Sequence, residues 1–408
     1  MSGLRVTFGR LSAPGGRWRP GRRGGWIAAT AAGAVAVLAV GGIVIASGNS
    51  SGSTRISNVA DNHAKSTTAP RPKKKPAPPL TLVSVTPSNG AGGVNGASPV
   101  TVTFSAPLAE TTALPTLSPT ISGRWSVSGK QAIFTPAVGY RPGTRVTVKI
   151  PAGMTSGAGA QLAQRSAARF TTAGQYSTLR LQQLLAQLGY LPLTWSPSSG
   201  SAPGSDANSQ LSAAYDPPTG TFTFNSGYPT ALTRQWSVGS NNMIIQGAVL
   251  TFEYDQGLTM DGIAGSSVWQ HLFTAVAAQQ TNKHGYTYVY VNQAGSERLT
   301  LWHNGAVRLS TLVNTGIAGR GTDDGTFPVY LRYQVTQMKG TNPDGTKYND
   351  TVQWVSYFNG GDAVHYFVRP GYGYYQSLGC VELPYQPSVT AFNLMTYGTL
   401  VTVAGPVA

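Results

Sequence analysis

The chain has very little of the chemistry from which disulfides, metal sites and charged surfaces are built. Its 408 residues include one cysteine and five histidines, and only 11% are Asp, Glu, Lys or Arg, against about 25% in an ordinary globular protein. A single cysteine excludes an intramolecular disulfide, and one thiol with scattered histidines supplies no three- or four-ligand zinc set. No phosphate-binding loop or dinucleotide fingerprint is present either. We therefore predict neither a metal nor a cofactor.

The positive charge of the chain is concentrated near its beginning. Residues 1–79 hold 12 of the 29 Lys and Arg and one of the 14 Asp and Glu residues, so they carry +11 of the formal net charge of +15. A nucleic-acid-binding protein needs its cations clustered on the folded domain. We therefore exclude nucleic acid as a partner. The composition of the whole chain, which includes 50 glycines, favours β-rich modules with many turns.

An uncharged, apolar segment at residues 26–46 follows a basic tail, residues 1–25, that has six arginines and no acid. About 20 apolar residues are enough to cross the hydrocarbon core of a membrane. Because positive flanks stay in the cytoplasm, the pattern predicts a single-pass anchor over residues 26–47 at the cell membrane, with the rest of the chain extracytoplasmic. A cleaved signal peptide is the alternative, although its apolar region is normally shorter.

Residues 48–79 are rich in Pro, Lys, Ser and Thr, a composition that predicts an extended linker without a core. Between residues 80 and 174, period-two alternation predicts short strands at Val100–Phe104, Gln131–Phe134 and Arg145–Ile150. Several such strands within about 90 residues indicate an immunoglobulin-like β-sandwich. This segment resembles the Ig-like domains that precede many cell-wall enzymes, and its expected role is that of a spacer or packing partner.

The period changes to that of helices between residues 175 and 280. Apolar spacing predicts helices in Leu179–Tyr190 and Gly247–Gly257, and a third begins at Ser266. The "LQ…LGY" start and the "DG…G…W…L" end resemble the three-helix peptidoglycan-binding module. Residues 194–246, rich in Ser, Gly and Pro, form an insertion between these two ends. Apolar residues with this helical spacing belong more often to a core than to a ligand site, so we expect those of the three helices to be core residues.

Cys380, the lone cysteine, lies in the run Ser377-Leu378-Gly379-Cys380-Val381-Glu382. A free cysteine is commonly a small buried hydrophobe, but an odd cysteine in a secreted protein is also a candidate reactive thiol. A thiol with its ordinary pKa is mostly protonated at neutral pH, so catalysis requires a base beside it. The glycine allows the backbone to approach a substrate closely at this point.

The best candidate for this base is His365, which lies 15 residues before Cys380 in the apolar run Asp362–Val368. A buried core histidine is the alternative interpretation at that position. The other histidines lie in the linker, in or just after the helical segment, and in a predicted turn: His63, His271, His284 and His303.

Residues 285–405 resemble the catalytic domain of L,D-transpeptidases. The resemblance is carried by Tyr288–Asn292 and Arg298–Gly305 as the first strands, and by His365 followed by Ser377-x-Gly379-Cys380 as the "H…S.GC" signature. It implies a β-rich fold with Cys380 as nucleophile and His365 as general base. It also implies that a backbone carbonyl orients the imidazole. Gly379 is predicted as part of the catalytic site, and the backbone N–H groups of residues 378–380 are expected to stabilise the oxyanion. Ser377 is predicted to hydrogen-bond the thiol or the substrate, and a turn-forming serine is the alternative. The whole chain is therefore expected to be mainly β.

The resemblance further implies that the substrates are peptidoglycan stem peptides, which are joined into 3→3 cross-links through a Cys380 thioester. Three positions depart from the family pattern. Tyr366 stands where the family has Gly or Ser, Leu378 where it has His, and Glu382 where it has Arg or Asn. These three residues, together with Tyr374 and Tyr375, are the predicted substrate contacts, and surface packing is the alternative role for the two tyrosines. An L,D-carboxypeptidase and a non-catalytic wall-binding protein remain the alternatives. The sequence does not indicate the oligomeric state.

Overall fold

The computed structural model describes residues 77–405, which form an N-terminal sandwich, a helical region and a C-terminal β region. The predicted basic tail, the anchor over residues 26–47 and nearly all of the linker lie outside these residues. Between residues 77 and 405, no helix is both long and apolar enough to cross a membrane.

The first region is the predicted immunoglobulin-like sandwich of two four-stranded sheets. One sheet has the order β1-β3-β6-β5 and the other the order β2-β8-β7-β4. The strands are β1 Leu82–Thr86, β2 Ala91–Val94, β3 Val100–Phe104, β4 Thr116–Ser118, β5 Gly123–Ser128, β6 Gln131–Pro136, β7 Arg145–Ile150 and β8 Ser166–Thr172. Alternate residues of β3 and β7 are buried between the sheets, as the period-two pattern predicts.

The helical region contains more than the expected three helices. Its elements are α1 Thr178–Gln187, β9 Leu193–Pro197, α2 Ala207–Tyr215, β10 Gly220–Phe224, α3 Thr230–Thr233, α4 Met243–Asp255 and α5 Ser266–Ala277. The three predicted helices are α1, α4 and α5. The prediction of a small three-helix module is wrong, because the insertion at residues 194–246 folds into two further helices and an antiparallel β9–β10 hairpin.

Helix α1 illustrates why the insertion folds onto the predicted helices. Its leucines are buried in the regional core, and Gly189 ends the helix with a φ of 77°, a conformation that glycine adopts without strain. Arg180 is also buried, and its guanidinium donates to the side chains of Gln183 and Gln210 at 3.1 and 2.7 Å. Because Gln210 belongs to α2, this polar contact joins the insertion to α1.

The C-terminal β region consists of two sheets with one short helix. The five-stranded sheet has the order β13-β12-β11-β19-β14, and the four-stranded sheet has the order β15-β16-β17-β18. The elements are β11 Thr287–Asn292, β12 Arg298–His303, β13 Ala306–Leu312, β14 Gly325–Pro328, β15 Leu331–Thr341, β16 Lys347–Asn359, β17 Asp362–Tyr366, β18 Val381–Leu383, α6 Tyr385–Leu394 and β19 Leu400–Ala404.

The core between these two sheets positions the chain segments that carry Cys380 and His365. Apolar side chains of β11, β12, β17, β18 and β19 form one buried cluster. Strands β17 and β18 pair in parallel, with His365 opposite Glu382. This pairing brings residue 365 close to Cys380, which immediately precedes β18, although 15 residues separate them along the chain.

The helical region packs closely against the C-terminal β region. Gly247 of α4 faces Gly398, and a Cβ added to either glycine would collide with the carbonyl oxygen of the other. The hydroxyl of Thr251 donates to the carbonyl of Tyr397 at 2.8 Å. The helical core also includes Tyr288 and Leu400 from the five-stranded sheet. The five-stranded sheet therefore contributes to the helical core as well as to its own.

Candidate active site

His365 is buried on β17 with its ring orientation determined by a backbone hydrogen bond. Its Nδ1 lies 2.8 Å from the carbonyl oxygen of Tyr366. A carbonyl oxygen only accepts hydrogen bonds, so Nδ1 carries the proton and Nε2 of the neutral ring has the free lone pair. The backbone carbonyl expected to orient the imidazole is therefore that of Tyr366.

Cys380 is half-buried and lines the same cavity as His365, a cleft of about 560 Å³. Its Sγ lies 3.8 Å from the carbonyl oxygen of Gly361. Burial, assisted by the charges of Asp362 and Glu382 and opposed by the backbone N–H of Ala363, raises the pKa of the Cys380 thiol to about 12. The structure therefore favours the thiol over the thiolate.

The imidazole is also held in its neutral form. Burial lowers the pKa of His365, whereas its bond to Tyr366 and the charge of Glu382 raise that pKa. These pKa shifts favour a neutral thiol and a neutral imidazole within the same cleft.

The turn before Cys380 leaves two backbone donors unused. The hydroxyl of Ser377 donates to the carbonyl of Cys380 at 2.6 Å and accepts from the N–H of Gly379 at 3.2 Å. Gly379 has a φ of 122°, and the carboxylate of Asp362 occupies the space where a Cβ would lie. Within residues 77–405, the backbone N–H groups of Leu378 and Cys380 make no hydrogen bond. They are therefore the candidate oxyanion donors.

A buried threonine holds this turn against the β13–β14 connection. The hydroxyl of Thr322 donates to the carbonyl of Gly379 at 2.7 Å and accepts from the N–H of Gly316 at 3.0 Å. Thr322 is fully buried. One hydroxyl thus satisfies two backbone groups that have no other hydrogen bond in the described part of the chain.

A buried carboxyl group supports the other side of the turn. Both oxygens of Glu297 lie 2.6 Å from Thr315, one accepting from its N–H and one from its hydroxyl. The carbonyl of Thr315 in turn accepts from the N–H groups of Gln376 and Ser377 at 3.0 and 2.9 Å. Burial raises the pKa of Glu297, and its bonds to Thr315 oppose that rise.

Glu382, which departs from the family pattern, forms a two-point ion pair with Arg369. Its carboxylate oxygens lie 2.7 and 2.8 Å from Nε and Nη2 of Arg369. The guanidinium also stacks on the ring of Phe367, with its carbon 4.7 Å from the ring centroid. The sequence analysis missed Arg369, although a buried glutamate beside the nucleophile requires a cationic partner and this loop contains only one cation.

The long β15–β16 hairpin covers one side of the cleft, and the sequence analysis missed this as well. Both strands contribute polar and apolar side chains to the lining: Gln337, Met338, Lys339, Tyr348, Asp350 and Val352. Polar and apolar residues alternate along both strands, which are joined by the turn Asn342–Thr346. That alternation was the available sequence signal, but only the pairing of the sheet shows that the hairpin lies beside Cys380.

The structure brings together some of the predicted site residues and not others. Cys380, His365, Leu378 and Glu382 all line the cleft, and Ser377 and Gly379 form the turn behind it. Three predicted tyrosines do not line the cleft: Tyr366 packs on Tyr385 with ring centroids 5.2 Å apart, Tyr374 is half exposed, and the hydroxyl of Tyr375 donates to the carbonyl of Gln293.

A nucleophile, a base with a defined tautomer and two free N–H groups suit acyl transfer through a thioester. Among residues 77–405, no group of three or more His, Cys, Asp or Glu side chains is arranged to hold a metal ion.

Comparison with protein families finds two matches within the chain. Residues 286–403 match the L,D-transpeptidase catalytic domain, and residues 76–172 match the bacterial Ig-like domain. No curated protein matches the chain.

Solved structures similar to the chain include three L,D-transpeptidases. One from Mycobacterium smegmatis is 14% identical over 80% of this chain and 100% of its own, with a TM-score of 0.27. L,D-transpeptidase 3 from Mycobacterium tuberculosis is 13% identical over 79% of this chain and 98% of its own, with a TM-score of 0.28. The catalytic domain from E. faecium L,D-transpeptidase is 28% identical over 29% of this chain and 96% of its own, with a TM-score of 0.27.

The family assignment rests on the two family-model matches, whose bounds agree with the first and third regions of the fold. The cleft that holds Cys380 and His365 lies within the second of these matches. The chain therefore carries a bacterial Ig-like domain at residues 76–172 and an L,D-transpeptidase catalytic domain at residues 286–403.

Proposed function

We propose that this protein is a peptidoglycan L,D-transpeptidase that forms 3→3 cross-links through a thioester on Cys380. The observation that carries the proposal is the buried His365, which shares a cleft with Cys380 and whose Nδ1 is occupied by the Tyr366 carbonyl, so that Nε2 is available as a base. L,D-transpeptidases act on stem peptides, and the L,D-transpeptidase domain match brings that substrate class to this cleft.

In the first half-reaction, the sulfur of Cys380 attacks the carbonyl carbon of an L-residue in the donor stem peptide. The thiol proton moves to Nε2 of His365 and then to the nitrogen of the leaving D-amino acid as the C–N bond breaks. The N–H groups of Leu378 and Cys380 stabilise the oxyanion, an effect of about 3–4 kcal/mol per donor. A C–S bond has formed, and the terminal D-amino acid leaves with its new proton.

In the second half-reaction, an amine of another stem peptide attacks the thioester carbon. His365 accepts the proton of that amine and returns it to the sulfur as the C–S bond breaks. If water attacks in place of the amine, the product is a shortened peptide and the enzyme is an L,D-carboxypeptidase. Both reactions need the same acyl-enzyme, so the acceptor alone distinguishes them.

The departures at Leu378 and Glu382 are compatible with this chemistry. Leu378 contributes its backbone N–H, which does not depend on the side chain. Glu382 is paired with Arg369, so the cleft gains no unpaired buried charge at this position. His365 is the base in this scheme without a second imidazole.

The proposed site of action is the outer face of the cell membrane. The apolar segment at residues 26–47 would anchor the chain, and the linker over residues 48–79 would separate the folded regions from the bilayer. The helical region between residues 175 and 280 would bind the wall polymer near the catalytic domain.

The proposal is tested with the full-length protein, purified in detergent and incubated with a disaccharide-tetrapeptide. Intact-protein mass spectrometry should detect a thioester adduct on the parent protein and none on Cys380→Ala. His365→Gln should slow adduct formation, whereas His271→Gln, on the exposed side of α5, is the matched control and should react at the parental rate.

The products separate the possible activities. A cross-linked dimer together with the adduct supports the transpeptidase, and a tripeptide without dimer identifies the carboxypeptidase. If the parent protein forms no adduct with the tetrapeptide, and a carbapenem does not acylate Cys380, the catalytic proposal is wrong and a wall-binding protein remains.

A further inference from the structure

Strand β16 contains a β-bulge directly opposite His365. The register of β16 against β17 shifts by one residue at this point, and the pairs that flank the shift are Gln353 with Tyr366 and Ser356 with Val364. Two residues of β16, Trp354 and Val355, therefore lie opposite His365 alone. A bulge bends its strand and redirects the neighbouring side chains, and bulges are frequent next to active sites.

Trp354 has a backbone conformation that is unusual for a large side chain. Its φ is 60°, in the left-handed region that glycine and asparagine enter readily and bulky residues avoid. Among residues 77–405, Gln279 and Asn304 are the other non-glycine residues with a positive φ, and both lie outside the helices and strands. A bulky residue keeps such a conformation only where the surrounding structure holds it there.

The packing that holds Trp354 comes from helix α6. The indole lies 5.6 Å from the ring of Phe392 and 6.5 Å from that of Tyr385, measured between centroids. The indole N–H is buried and has no hydrogen-bond partner in the described part of the chain, so ring packing alone positions it. Tyr385 also packs on Tyr366, whose carbonyl orients the ring of His365. One helix therefore supports both the bulge and the residue that orients the imidazole.

The bulge also decides which side chains of β16 face the cleft. Successive side chains of a strand point to opposite faces, so Val352 and Val355, three positions apart, would lie on opposite faces of a regular strand. Instead, both are buried in the one apolar cluster against which Cys380 packs. The extra residue reverses the alternation, and beyond the bulge Tyr348 and Asp350 line the cleft together with Val352.

We propose that Trp354 is a positioning residue of the catalytic site. Trp354 does not line the cleft itself. By holding the bulge against α6, its indole keeps β16 in the register that supports His365 and directs the outer half of the β15–β16 hairpin toward Cys380. This inference rests on the function proposed above, in which His365 is the base.

The experiment measures the rate at which iodoacetamide alkylates Cys380 in the full-length protein in detergent, over a pH range that spans the titration of an imidazole and of a thiol. Cys380 is the only cysteine, so the alkylated mass reports this thiol alone. His365→Gln gives the profile of a thiol without its base, whose rate follows the thiolate fraction. Trp354→Gly accepts the positive φ but removes the indole, and Trp354→Phe keeps a ring against α6.

Trp354→Gly should slow alkylation at neutral pH about ten- to a hundredfold and move the pH profile toward that of His365→Gln. Trp354→Phe should restore most of the parental rate. Trp195→Gly is the matched control, because Trp195 is half-buried on β9, outside the cleft, and its indole N–H likewise has no partner within residues 77–405. This control should lower the midpoint of urea unfolding and leave the pH profile unchanged. If Trp354→Gly does not fold, Phe392→Leu, which removes the ring beneath the indole, should shift the profile in the same direction.

The role of Trp354 is overturned if Trp354→Gly retains the parental profile, if Trp354→Phe is as slow as Trp354→Gly, or if Trp195→Gly shifts the profile equally. A common profile for the parent and His365→Gln would instead show that His365 is not the base, and the proposal for Trp354 would fail with it. The comparison of the parent with His365→Gln thus separates a failure of the proposed function from a failure of this inference alone.

Discussion

Replacing Thr322 by valine tests whether one hydroxyl holds the turn that precedes Cys380. Valine preserves the shape of the side chain but removes the acceptor of the Gly316 N–H and the donor to the Gly379 carbonyl. An unpaired buried backbone group costs about 1–3 kcal/mol. With two such groups and some relaxation, we expect Thr322→Val to lower the free energy of unfolding by about 3 kcal/mol.

The same substitution should also slow catalysis, because the Gly379 carbonyl belongs to the turn that presents the N–H groups of Leu378 and Cys380. A displacement of this turn by a fraction of an ångström is expected to slow acylation about ten- to a hundredfold. The rate of adduct formation with a carbapenem, followed by mass spectrometry, measures this effect.

Thr322→Ser provides the control, since it keeps the hydroxyl and removes only a buried methyl group, at about 1 kcal/mol. Urea unfolding should therefore rank the parent, Thr322→Ser and Thr322→Val in decreasing order of stability. Equal stability of the serine and valine variants, or a valine variant within about 0.5 kcal/mol of the parent, a difference typical of a neutral surface substitution, would refute the reasoning.

Three further predictions concern the packing and charges around the same core. Gly247→Ala should destabilise the protein, because its methyl group would collide with the carbonyl of Gly398; thermal unfolding of the variant checks this, and an unchanged midpoint would contradict the close contact. Arg369→Met should lower stability by about 3–5 kcal/mol by leaving the carboxylate of Glu382 buried without its partner, and urea unfolding should show that adding Glu382→Gln recovers part of the loss. Burial and the charge of Asp323 raise the pKa of Asp362 to about 7, so the folded state holds a proton that the unfolded state releases, and stability should fall as the pH rises from about 4 to 7; Asp362→Asn should reduce this slope in melts recorded across that range.

Local sequence patterns were sufficient for several elements of the fold. Strands β3 and β7 begin and end where their alternation predicts, and α1 ends before Gly189, because these signals lie within a window of a few residues. The insertion at residues 194–246 was not predicted as structure. Its helices and hairpin are short, and they are stabilised by burial against α1 rather than by their own periodicity.

The sequence by itself determined which residues could react. A lone cysteine after glycine, with a histidine 15 residues earlier in an apolar strand, indicates Cys380 and His365 as the candidate nucleophile and base without any coordinates. The departures at Leu378 and Glu382 were also evident, but their consequences were not.

Only the tertiary structure decided how those residues are held. The partner of Glu382 is Arg369, 13 residues away, and the Gly379 carbonyl is satisfied by Thr322, 57 residues away. The Nδ1 proton of His365 and the free N–H groups of the turn likewise depend on how separate strands are paired. Such contacts between distant residues form only when the whole sheet closes, so no local window of sequence can specify them.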